Sequence, residues 1–341
     1  MALLSVPIVD IAPFFAENID GKHKVAAAVN QACEDIGFFV ITGHGVDTRL
    51  ADRVFAESRG FFDLPLAEKQ MVSRPAPEIG RGYSAPGTES SAYSRLDRTP
   101  PDIKESFTIG LVDVPQNDSY YHCPAAGHHF APNLWPQQPA GLSAAYADYY
   151  RAMERLSVVV MRIFALALGL EEDYFGWKCD KPFSVMRVLH YFDQVAEPMP
   201  GQLRCSEHTD YSTMTLLRHD REYGADGLQV QNRAGTWVDV PAIPDSFVIN
   251  LGDMMMRWTN DRWVSTPHRV LNPPPVKTTD SRRLSIAFFH ESNYDATIEC
   301  LPNCSTVERP PQYPPISCGD YVRERLRRQG TFKDLAGNAA A

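Results

Sequence analysis

The sequence lacks most of what would send a chain to a membrane, to a nucleic acid or out of the cell. No run of about 18 apolar residues occurs, the length a helix needs to cross a bilayer. Met1 to Asp10 has no basic stretch followed by an apolar core, so no signal peptide is expected, and the protein is expected to be cytoplasmic. Positive charge is in deficit: 33 Lys and Arg against 42 Asp and Glu leave a net charge of −9. Such a balance suits neither nucleic acid nor anionic lipid, because both are bound through cationic side chains. The densest basic group, Arg323, Arg325, Arg327 and Arg328, is interrupted by Glu324 and reads as the charged side of a short terminal helix. Seven scattered cysteines include no C-x-x-C pair, and Cys300 and Cys304 lack the partner pair that a zinc site needs. Reduced thiols are the expectation. There is no internal repeat, and no low-complexity block before the Ala-rich final residues.

What remains is an ordinary globular composition, 44% hydrophobic and 22% charged over 341 residues, ample for a buried core. In the first half, apolar spacing predicts a strand at Val6–Asp10, a helix at Lys22–Asp35 stopped by Gly37, and a buried strand at Phe38–Thr42. Asp47 or Thr48 caps a second helix that runs to Phe62. Residues 73–136 are rich in Pro, Gly and Ser and read as irregular loops with one strand at Ser106–Leu111. Ala140–Leu170 is the longest helical stretch, with room for one break and an apolar stripe of Leu156, Val159, Val160, Ile163 and Ala167. From Phe183 the pattern becomes short β runs at 183–192, 211–217, 227–231, 236–240, 246–251, 268–272 and 282–290, separated by turn signals. Many short strands at this spacing predict a barrel or double-sheet jelly roll, with the helices packed outside it in one α+β unit. The expected divisions of that unit are 1–136 (helices and loops), 137–182 (supporting helices), 183–300 (jelly roll) and 301–341 (terminal helix and tail).

His208-Thr209-Asp210 is the first feature with chemical content. On an extended strand, residues i and i+2 face the same side, so the imidazole and the carboxylate converge. His268, opening a later β run, is the expected third ligand. Two imidazoles and a carboxylate form the facial triad of non-heme Fe(II) oxygenases, which leaves adjacent positions open for cosubstrate and O₂. Fifteen residues after His268 stand Arg283-Leu284-Ser285, where the same rule puts Arg283 and Ser285 on one face. A guanidinium beside a hydroxyl receives a carboxylate well. An Arg within an apolar strand needs either such an anionic ligand or a structural acidic partner.

At this point the chain resembles the isopenicillin N synthase-like branch of the 2-oxoglutarate- and Fe(II)-dependent dioxygenases. The likeness runs in order through Cys33-Glu34-Asp35-Ile36-Gly37-Phe38-Phe39 and His44-Gly45-Val46 to Phe61-Phe62-Asp63-Leu64-Pro65 and Arg81-Gly82-Tyr83. It continues through Lys104-Glu105-Ser106-Phe107, Pro132-Asn133-Leu134-Trp135-Pro136, Asn250-Leu251-Gly252-Asp253, Trp258-Thr259-Asn260 and the stretch from Ser265 to Val270. The resemblance implies a double-stranded β-helix of cupin-like jelly-roll type. It implies iron on His208, Asp210 and His268, and the distal carboxylate of 2-oxoglutarate on Arg283 and Ser285. It places Tyr191 where a tyrosine hydrogen-bonds the cosubstrate in many relatives, with Leu189 and Phe192 replacing the usual asparagine and proline around it. Arg187 matches an arginine that in some microbial relatives approaches the metal-proximal end of 2-oxoglutarate; a salt bridge on the barrel wall is its other reading. The implied reaction decarboxylates 2-oxoglutarate to succinate and CO₂ with O₂ and hydroxylates, desaturates or cyclises a small metabolite. Asp210, where a halogenase would carry Ala or Gly, argues against halogenation.

Two other readings stand beside this one. An Fe(II)/O₂ oxidase of the same fold uses the Arg-x-Ser pair for another carboxylate, and succinate formation separates it. A non-catalytic metal- or metabolite-binding barrel would consume no O₂. By family position the substrate contacts are Tyr83 and Glu89 in the loop 81–91, Phe107 on the strand that follows, and Arg328 in a terminal helix expected to fold over the barrel mouth. For Glu89 and Arg328 the plainer reading is surface charge.

Overall fold

Asn18 and Asp47 each start a helix, their side chains accepting the backbone N–H of Asp20 and of Arg49, both at 3.0 Å. A computed structural model describes residues 5–16, 18–76, 79–92, 99–194, 196–220, 227–274 and 281–330, with side chains as far as 326. In it the two caps open helices α2 (Ile19–Asp35) and α3 (Thr48–Phe62), after a short α1 (Ala12–Phe15). Helix α2 stops at Gly37, whose φ of +66° and whose approach to Val264 both call for glycine: a Cβ there would lie 2.0 Å from the Val264 carbonyl oxygen. Helices α4 (Leu66–Gln70) and α5 (Leu142–Ala167) follow, and α5 is a single unbroken rod. Its Phe164 packs edge-on against Phe39 and Trp263, with ring centres 6.4 and 5.2 Å apart.

Eight strands form the larger sheet. Their order is β1 (Ile8–Asp10), β2 (Phe38–Thr42), β10 (Phe247–Leu251), β7 (Met214–His219), β12 (Arg283–His290), β5 (Val185–Tyr191), β4 (Glu105–Ile109) and β3 (Gly82–Ser84). A smaller sheet runs β6 (Cys205–His208), β11 (His268–Val270), β8 (Leu228–Gln231) and β9 (Trp237–Asp239), and β13 (Thr297–Ile298) pairs with β14 (Ile316–Ser317). One face of the larger sheet buries Phe39, Ile249, Leu216 and Phe288 with α2, α3 and α5. From its other face Val40, Val248 and Tyr191 meet Cys205, Val230 and Val270 of the smaller sheet. This is the jelly roll with helices outside it, and the site lies between its sheets.

Several elements depart from the sequence reading. Strand β3 and helix α4 lie in or beside the stretch read as loop, and both are too short to show a period. Strand β6, with the sequence CSEH, has no apolar alternation and was not expected. It ends at His208, so Thr209 and Asp210 lie beyond the strand, on the segment that bends into Met214. The run expected from 211 begins only at Met214, because helix α6 (Asp253–Trp258) packs against this segment. There Gly252 gives its N–H to the Thr213 carbonyl at 3.2 Å, and a Cβ at Gly252 would sit 1.9 Å from the Ser212 carbonyl oxygen. The turn signal before the run at 227–231 is Asp226-Gly227, and its first residue lies outside the described ones. No helix among the described residues is long and apolar enough to cross a membrane.

Candidate active site

His208 at the end of β6 and His268 at the start of β11 are register partners in the smaller sheet. Their Nε2 atoms each lie 3.8 Å from Asp210 Oδ1, and the three donor atoms fall within 4.8 Å of one another. His208 Nδ1 meets the Ser206 carbonyl at 2.8 Å and His268 Nδ1 meets the Thr266 carbonyl at 3.1 Å. A carbonyl only accepts, so each Nδ1 carries the proton and each Nε2 offers its lone pair inward. Asp210 is oriented in the same way. Its Oδ2 accepts from Thr215 Oγ1 at 2.5 Å and from Asn250 Nδ2 at 2.7 Å, while its backbone carbonyl takes the Asp253 N–H at 2.8 Å. Oδ1 is thereby turned to the histidines. Burial pushes the His268 imidazole down to about 4, with His208 adding to the shift and Asp210 opposing it. Burial also lowers His208. Neutral imidazoles and an ionised carboxylate are the state that a divalent metal requires of its ligands. Among the described residues this is the cluster that fits a metal ion, and its donor set suits Fe(II).

A cavity extends from the triad between the sheets. Arg283, Ser285 and Tyr191 line one part of it. Arg283 is 2% exposed. Its Nη1 lies 3.4 Å from Ser285 Oγ and its Nη2 is 3.1 Å from His219 Nδ1. Burial, reinforced by Arg283 and Arg218, pushes His219 well below its ordinary value, so the ring is neutral and accepts from Arg283. Arg283 Nε has no partner, and the hydrogen bonds of this guanidinium among the described residues go to Ser285 and His219, not to a carboxylate. A buried cation left in this state is costly until an anion arrives. Of the two resolutions open to an Arg in an apolar strand, the structural acid is the one not found among the described residues.

The remaining expected contacts divide. Arg187 lines the cavity but is held on its wall, with Nε 3.0 Å from Thr108 Oγ1 and Nη1 3.3 Å from Glu89 Oε2. Glu89 also receives Arg74 Nη1 at 3.0 Å, so it is the shared counter-ion of two arginines and not loose surface charge. Burial alone would raise its carboxyl, but Arg187, Arg74 and Lys104 hold it below the ordinary value. Tyr83 and Phe107 are corrections. Tyr83 is buried in the core, its hydroxyl donating to Glu105 Oε2 at 2.5 Å, and Phe107 is packed between Phe61 and Tyr146. The β3–β4 edge turns them toward the helices and away from the cavity. The side chain of Arg328 lies outside the described residues. Its helix, α7 (Cys318–Gly330), docks on α6, where Tyr321 Oη and Arg325 Nη2 reach Asp253 Oδ2 at 3.2 and 2.9 Å. None of its described residues lines the cavity, so the expected lid is not seen there.

Sequence reasoning missed the two groups that hold Asp210, Thr215 and Asn250. It also missed the Lys104–Asp102 ion pair beside Ser91 and Cys205, and Tyr211 and Glu291 in the far part of the cavity. Asn250 stood inside a quoted landmark, and Glu291 continues the two-residue spacing of Arg283 and Ser285. Both signals were present.

Comparison with known proteins agrees with this geometry. Residues 6–138 match the family model described as the N-terminal part of non-haem dioxygenase in morphine synthesis, and residues 183–292 match that of the 2OG-Fe(II) oxygenase superfamily. The chain is 35% identical to a 2-oxoglutarate-Fe(II) type oxidoreductase of Emericella nidulans, across 100% of this chain and 93% of the relative. It is 30% identical to validamycin A dioxygenase of Streptomyces hygroscopicus subsp. limoneus, across 98% and 88%. Among solved structures, a full-length Neurospora crassa protein in complex with alpha-KG and thymine superposes with a TM-score of 0.81 at 33% identity, covering 94% of this chain and 96% of that one.

Proposed function

This chain belongs to the 2OG-Fe(II) oxygenase superfamily and is an Fe(II)- and 2-oxoglutarate-dependent dioxygenase; from that premise we propose how its residues divide the work. His208, Asp210 and His268 hold Fe(II). When bound, the metal supplies the centre at which 2-oxoglutarate and O₂ react, yielding succinate and CO₂ as a small molecule is oxidised. Arg283 and Ser285 receive the distal carboxylate of 2-oxoglutarate, and Tyr191 closes that end with its ring 5.0 Å from the guanidinium. Thr215 and Asn250 keep Asp210 turned to the metal. Arg187, tied to Glu89 and Thr108, forms the wall between this end and the substrate.

The observation that carries the reading is the buried Arg283 guanidinium without an acidic partner among the described residues, on the same strand face as Ser285 and beside the triad. An ion of complementary charge completes it, and a dicarboxylate held at one end by the metal would offer its other carboxylate to this arginine. The test is succinate release by the Fe(II)-loaded protein, with 2-oxoglutarate and O₂, against a panel of small metabolites. Succinate formation that rises with one chemical class identifies the substrate group; no succinate under any condition removes 2-oxoglutarate from the account.

A further inference from the structure

Arg283, Ser285, Ala287, Phe289 and Glu291 occupy alternate positions along β12 and just past its end, and all five line the cavity. On the neighbouring strand Val185, Arg187, Leu189 and Tyr191 do the same. The two strands are antiparallel, with Arg283 opposite Tyr191 and Phe289 opposite Val185, so the cavity has two chemically distinct ends. Arg283, Ser285 and Tyr191 form the end assigned above to 2-oxoglutarate. Val185, Phe289 and Tyr211 wall the other end with apolar and aromatic surface, and Glu291 stands among them.

Glu291 is 2% exposed, and its Oε2 is buried without a hydrogen-bond partner. Its backbone N–H, by contrast, is satisfied by Ser184 Oγ at 3.1 Å. Burial, joined by the Asp210 carboxylate, pushes the Glu291 carboxyl well above its ordinary range. A neutral carboxyl presents an O–H donor and a C=O acceptor side by side. A buried group with this unused capacity is completed by a ligand bearing the reverse pair. A cationic ligand is disfavoured here because it would face Arg187 and the metal. An anion could use only the donor half of the carboxyl.

We propose that Glu291 anchors the substrate, and that the far end of the cavity selects a neutral planar lactam, imide or carboxamide whose adjacent C=O and N–H it meets with two hydrogen bonds. This rests on the assignment of the Arg283 end to 2-oxoglutarate, since that assignment leaves the Glu291 end for substrate.

The test uses wild type, Glu291→Gln and Glu291→Leu, each loaded with Fe(II) under nitrogen. The proteins are titrated first with 2-oxoglutarate, then with uracil, thymine and 1,3-dimethyluracil. Wild type should bind uracil or thymine saturably and 1,3-dimethyluracil at least about tenfold more weakly, as expected when a buried polar group loses its partner. Glu291→Gln keeps a donor and an acceptor and should stay within about threefold of wild type, whereas Glu291→Leu should lose at least about tenfold. The affinity for 2-oxoglutarate should be the same in all three. If wild type binds neither ring, the substrate class is wrong. Equal ring binding by Glu291→Leu overturns the anchor, and so does a parallel loss of 2-oxoglutarate affinity, which would make Glu291 a structural support. If wild type does not bind 2-oxoglutarate in the first titration, the cosubstrate assignment fails and takes this inference with it.

Discussion

Arg283 lies directly opposite Tyr191 across the β5–β12 pair, with its guanidinium 5.0 Å from the centre of the phenol ring. The ring covers one face of the cation and leaves the edge beside Ser285 for a carboxylate. This arrangement predicts a separation of stability from binding. Arg283→Leu removes a buried cation with no acidic partner among the described residues, so the free protein should melt at the same temperature or higher. The same variant should lose about 2–5 kcal/mol of 2-oxoglutarate affinity. Thermal melting with and without 2-oxoglutarate reads both effects. A variant that melts much lower yet keeps its response to 2-oxoglutarate would show that Arg283 serves the fold.

The metal ligands give a second prediction. His208→Ala or His268→Ala should abolish stoichiometric Fe(II) binding, because the two donors left hold a divalent ion poorly. Metal analysis after gel filtration is the check, and full occupancy in either variant would remove that residue from the triad.

Asn250 and Thr215 provide a subtler test. Both donate to Asp210 Oδ2 and keep Oδ1 toward the histidines. Asn250→Ala should weaken Fe(II) affinity by about 10–100-fold, the usual cost of losing a group that orients a metal ligand. Unchanged affinity would mean that the segment held by Asp253 and Gly252 positions Asp210 unaided.

Away from the site, His44 should make the protein acid-sensitive. Its Nε2 donates to the Asp245 carbonyl at 2.8 Å and its Nδ1 accepts the Val46 N–H at 3.1 Å, which requires the neutral ring. Burial, with help from Arg218, lowers its pKa to about 4. Between roughly pH 6.5 and 4 the unfolded chain binds a proton that the folded chain refuses, so acid favours unfolding across this window. Urea melts of wild type and His44→Gln at pH 7.5, 6, 5 and 4 should show a shallower loss of stability in the variant. Parallel pH profiles would count against His44.

The features legible from the sequence were those with a strict period or a covalent spacing. Strands β2, β5, β10 and β12 carry long apolar or alternating runs, and Arg283 and Ser285 follow from two-residue spacing on β12. His208 and Asp210 were picked out by that same rule and lie together in the structure, although only His208 belongs to strand β6 and Asp210 lies beyond its end. Tyr83 and Phe107 were misplaced because position in a family motif does not say which side of a strand faces the helices. Asn250 and Glu291 escaped notice because a lone polar residue in or after an apolar run acquires meaning only once its neighbours are known. The partners of Glu89 come from residues 74 and 187, separations that no local pattern encodes.

The central claim is that oxygen consumption by this protein is driven through 2-oxoglutarate held by Arg283. The direct measurement is succinate formed per O₂ consumed by the Fe(II)-loaded enzyme, for wild type and Arg283→Leu at the same subsaturating 2-oxoglutarate concentration. The expected result is one succinate per O₂ in wild type and loss of both signals in the variant. Oxygen consumption without succinate in wild type, or undiminished succinate in Arg283→Leu, would contradict it.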